Sequence, residues 1–114
     1  MTIVHPQKTM IAGDEWQIHG SLFDRQRPRM PIPLVGATIE WTLRNSAGAD
    51  VISPDQVAIN IDPDQVVNAG DFTIIVSSTV TGSLGVGKYS DQLRLMTATI
   101  PRETMWQGVI IVTK

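Results

Sequence analysis

Residues 36–45 read GATIEWTLRN. Taken two at a time, Ala37, Ile39, Trp41 and Leu43 fall on one side and Thr38, Glu40, Thr42 and Arg44 on the other. Side chains alternate across a strand, so the pattern specifies a β-strand with one buried and one wetted face. It does not say what the wetted face is for.

The same period recurs along the chain. In EWQIHGSLF (15–23) the inward set is Trp16, Ile18, Gly20 and Leu22; in VAINID (57–62) it is Val57, Ile59 and Ile61. FTIIVS (72–77) places Phe72, Ile74 and Val76 on one face, with Ile75 as the single apolar residue on the other. KYSDQLRLMTA (88–98), around Tyr89, Leu93 and Leu95, and MWQGVIIVTK (105–114), around Trp106, Gly108, Ile110 and Val112, add two more, and a segment near Lys8 to Ala12 is expected to pair as a seventh. Between them lie turn-forming stretches, NSAG (45–48), DPDQ (62–65), NAG (68–70) and GSLGVG (82–87). Helical periodicity is absent over any useful length.

About seven short strands with one apolar face each bury those faces by packing as two antiparallel sheets. The expected fold is all-β, an immunoglobulin-like antiparallel β-sandwich in one domain spanning 1–114; a small barrel shares the alternation and is the fold-level rival. Trp16, Trp41 and Trp106 sit on the inward sets of different strands and are expected to meet in one core. Residues 1–13 read as an N-terminal arm or first strand. Residues 24–36, DRQRPRMPIPLVG, carry three arginines and three prolines and form a long extended connection, because proline cannot donate to a central ladder.

Nine Lys and Arg against 11 Asp and Glu give a net charge of -2, which supplies no field to hold a polyanion or to dock on an acidic membrane. Neither nucleic acid nor membrane is an expected partner. The N-terminus, MTIVHPQKTMIAG, reads as neither a secretion signal nor a membrane anchor. The absence of cysteine removes disulfides and thiolate metal sites.

The search for chemistry finds no catalytic, cofactor or metal set. His5 and His19 lack an acidic or cysteine partner at ligand spacing and read as surface residues. IDPDQVVNAGD (61–71) brings Asp62, Asp64, Asn68 and Asp71 together, but Val67 and Thr73 stand where a calcium loop needs glycine and a bidentate acid, so these are turn residues. GSLGVG precedes a strand instead of a helix and is not a phosphate cradle. No G-x-S-x-G elbow is present.

Two features point to contacts with other proteins. Arg25, Arg27 and Arg29 recur at every second position, so an extended segment projects them the same way, and guanidinium forks suit protein interfaces. Val109 and Ile111 face opposite to Trp106, Ile110 and Val112, making the last strand apolar on both faces; the N-terminal arm or another subunit is expected to cover them.

IPLVGATIEWTLRNSAGADVIS, then AGDFTIIVS with LGVGKYSDQLRL, then TMWQGVIIV, resembles the immunoglobulin-like domain of tailed-phage baseplate and tail accessory proteins, such as the N-terminal part of upper baseplate proteins. The matching positions are Leu34, Gly36, Ala37, Thr38 and Ile39; Gly70 and Phe72; Leu84, Gly87 and Tyr89; and Thr104, Trp106, Gly108, Ile110 and Val112. Pro33 and Val35 replace the aspartate and threonine of that family's D-L-T-G turn. The resemblance implies a non-enzymatic virion or prophage protein, made in the bacterial cytoplasm, that docks onto other tail or baseplate subunits and onto copies of itself. Contact residues in that reading are Arg25, Arg27, Arg29, Val109 and Ile111. A carbohydrate-binding or adhesive sandwich is the alternative, with Phe23 and Tyr89 as its aromatic candidates.

Overall fold

The computed structural model describes residues 3–23, 30–98 and 100–114. Strands β1 (Ile3–Val4), β2 (Lys8–Ile11), β3 (Trp16–Ser21), β4 (Thr38–Arg44), β5 (Asp50–Ile52), β6 (Ala58–Ile61), β7 (Asp71–Val76), β8 (Gly87–Met96) and β9 (Glu103–Thr113) form two sheets. One runs β1-β9-β8-β4-β5, with β2 following β1 along the same side of β9; the other runs β3-β7-β6. The all-β sandwich read from the alternation is the fold. β1 and β5 are two strands that the alternation leaves out, being too short to display a period.

β1 and β2 run parallel to β9, whereas every other pairing is antiparallel. The arm therefore lies along the edge of the last strand and not across its face. Between the two arm strands stands Pro6, which cannot donate to a ladder. Two short helical turns also interrupt the strands: a 3-10 turn at Pro54–Gln56, and α1 (Ser78–Gly82), whose first turn is capped by the Ser77 hydroxyl accepting from the Val80 amide.

Met10, Trp41, Leu43, Ile52, Ile74, Val76, Leu93, Leu95, Ile110 and Val112 are fully buried between the sheets. Trp41 stacks on Trp16 at 5.5 Å. Trp106 packs instead on Phe72, also at 5.5 Å, and the three tryptophans join one core as a stacked pair and a separate third member. Gly20 permits this closure: a Cβ there would lie 2.4 Å from the Phe72 ring and 2.7 Å from Trp106.

Trp41 is the buried tryptophan of the strand that follows the long inter-sheet connection, and the Tyr89 hydroxyl donates to the Gly85 carbonyl at 2.8 Å, tying the start of β8 to the loop before it. Two residues beyond that tyrosine stands the buried Asp91.

Candidate docking surfaces

The described residues of the connections 22–37, 62–70 and 97–102 lie at one end of the sandwich, since Ser21 pairs with Asp71, Ile61 with Phe72, and Thr38 with Met96. Gln65 ties two of them together. Its side-chain oxygen accepts from the amides of Leu34 at 2.8 Å and Gly70 at 3.0 Å, while its Nε2 donates to the Asp62 carbonyl at 2.8 Å. The residue is buried, so every one of these bonds replaces water that is no longer there. Gly36, at φ 71°, allows the turn Leu34–Ala37 to close through a backbone bond of 3.0 Å from the Ala37 amide to the Leu34 carbonyl.

Exposed apolar side chains gather at this braced end. Nine large hydrophobics are exposed among the described residues, and six of them, Phe23, Met30, Val35, Val66, Val67 and Met96, belong to these connections or the strand end beside them. Val66 and Val67 are 92% and 77% exposed in a turn whose backbone is organised by Asp64, which accepts from both their amides. Asp62 likewise accepts from the Asp64 amide, so the acidic stretch serves as turn chemistry. Sequence periodicity missed the patch because turn residues carry no period. The signal was nonetheless visible as two adjacent valines inside DPDQVVNAG.

Val109 and Ile111 lie half-buried on β9, on the face turned away from the core. Ile111 pairs with Thr9 on one side and Lys88 on the other, and the exposed Val4 and Ile11 extend the same margin. The arm pairs along the edge of β9 and leaves this outer face uncovered by any described strand, so of the two expected coverings, the arm or another subunit, the arm is not the one seen. Arg25, Arg27 and Arg29 lie outside the described residues.

On the other sheet, a concavity of about 500 Å³ is lined by His19, Ser21, Asn60, Asp62, Asp71 and Thr73. Its hydrogen bonds run from Ser21 to Asp71 at 2.6 Å and between Thr73 and His19 at 2.7 Å. The serine proton is thus directed at a carboxylate and not at the imidazole, which is not the pairing a nucleophile and base require.

His5 is the largest departure from the sequence reading. Its side chain is only 8% exposed, and its Nε2 meets Asp91 Oδ1 at 2.5 Å. Nδ1 faces the Pro6 carbonyl at 2.6 Å, so both ring nitrogens look at oxygen acceptors. Asp91 uses its other oxygen to accept from Trp41 Nε1 at 2.9 Å. The partner lies 86 residues away in sequence, which is why spacing gave no hint of it. His19, in contrast, stays on the surface as expected.

No protein-family model matches the chain, and no curated protein matches it.

Proposed function

We propose that this domain is a non-enzymatic assembly module of a phage or prophage tail or baseplate, which docks by its braced loop end onto another structural subunit. The observation that supports it is the gathering of exposed apolar side chains at one end: six of the nine large exposed hydrophobics sit there, over a framework that Gln65 holds in place. Isolated surface aliphatics are ordinary, whereas several gathered at one end of a domain fit a contact site. The outer face of β9 with Val109 and Ile111 supplies a second contact, and the resemblance in the glycines and core positions supplies the viral context.

The test is incorporation into particles. Wild-type protein is expected in purified tail or baseplate assemblies, and Val66→Ser with Val67→Ser, which leaves the core untouched, is expected to be lost from them. A chain that never enters particles, or a variant that enters as well as wild type, overturns the reading.

A glycan-binding or adhesive module is the second reading, favoured by the polar concavity on β3, β6 and β7. Its aromatic platform is thin: the Tyr89 hydroxyl is committed to Gly85, leaving Phe23, which is 44% exposed. Glycan-array binding abolished by Phe23→Ala would favour this reading over assembly.

A further inference from the structure

We infer that β3 is a docking edge for β3 of a second copy, the two strands pairing antiparallel about a two-fold axis to make one continuous six-stranded sheet from two three-stranded ones. The surface is distinct from the loop end, and the inference does not depend on it.

β3 is an edge strand, since β7 pairs with it on one side and no described strand pairs with it on the other. Leu22 donates its amide to the Gly70 carbonyl, and ladder groups alternate in direction along an antiparallel pair. Counting back, the backbone N–H and C=O groups of Gln17, His19 and Ser21 turn to the open side. Unpaired edges are templates for another strand, and proteins blunt them with proline, lysine, inward-pointing charge or short length.

The other edges carry such devices. β5 has three residues, with Asp50 bound to Arg44. β6 has four, between the Pro54–Gln56 turn and Pro63. On the arm, Pro6 divides β1 from β2, Lys8 opens β2, and the Thr9 carbonyl is taken by Trp16 Nε1 at 3.1 Å. β3 has six residues, WQIHGS, with no proline, lysine or acid, and its solvent-facing side chains, Gln17, His19 and Ser21, carry no fixed charge.

The strand is also self-complementary. With Ile18 opposite its own copy, Gln17 faces His19 and Trp16 faces Gly20, a large residue against the smallest, and no pair sets like fixed charges together. A closed two-fold pairing consumes both edges and leaves no growing end.

Sedimentation equilibrium of the full chain over a wide concentration range tests this. A monomer–dimer equilibrium is expected, with the dissociation constant raised at least ~10-fold by Gln17→Lys with His19→Lys, since each lysine then meets its counterpart across the axis. Ala58→Lys, on the β6 edge, is expected to leave it unchanged, as is Val66→Ser with Val67→Ser. Far-UV circular dichroism checks that each variant folds, and His19→Pro, which removes an outward amide, serves if the lysines perturb the strand. Because the chain has no cysteine, a mixture of Gln17→Cys and His19→Cys chains is expected to form mixed disulfides in the dimer. A monomer at every concentration, a dimer indifferent to the β3 variants, or a dimer broken by the valine variants overturns the inference.

Discussion

Trp41 and Asp91 sit on neighbouring strands one diagonal step apart, and the indole N–H donates to the carboxylate at 2.9 Å inside the sandwich. The same carboxylate holds His5 on its other side. One buried acid thus joins the central tryptophan to the N-terminal arm.

Asp91→Ala is therefore expected to cost ~3–5 kcal/mol, because it strands an imidazole and an indole N–H away from water. Asp91→Asn keeps one acceptor for Trp41 and is expected to cost less. Equilibrium denaturation in urea reads both; equal losses would mean that the carboxylate is not what matters.

Gly108 lies directly opposite Asp91, and a Cβ there would stand 2.3 Å from the His5 ring. Gly108→Ala is expected to push the imidazole out of its slot and to destabilise by ~1–3 kcal/mol. In a His5→Ala background the same substitution should cost markedly less, since nothing remains to collide with. A double-mutant cycle with no coupling would place His5 elsewhere.

Period-two alternation is written by residues whose neighbours are i±2, so β3, β4, β6, β7, β8 and β9 were legible from the chain alone. β1 and β5 are too short to show a period, and β2 pairs parallel, a relation that alternation does not encode. Asp91 stands on the inward set between Tyr89 and Leu93, and its partners lie far away in sequence, so its role becomes visible only when the strands are side by side. The two adjacent valines of the loop end were visible in the sequence, but not the bracing beneath them, which comes from Gln65, a side chain bonding to backbone across two connections.

Gln65→Ala is expected to orphan the Leu34 and Gly70 amides together and to cost ~2–3 kcal/mol. The loss should be local as well as global. Hydrogen exchange at Leu34 and Gly70 is expected to quicken more than at Leu93 or Ile110 in the central strands. Uniform quickening throughout would mean that Gln65 acts on the whole domain and not as a clasp.

Val66 and Val67 separate a folding role from a docking role. At 92% and 77% exposure they bury almost nothing within the domain, so replacing both by serine is expected to change stability by no more than about 0.5 kcal/mol. Loss of incorporation into particles without loss of stability would then belong to the surface alone. A drop in stability comparable to that of Gln65→Ala would instead assign the valines to holding the turn, and the loop end would lose its standing as a contact site.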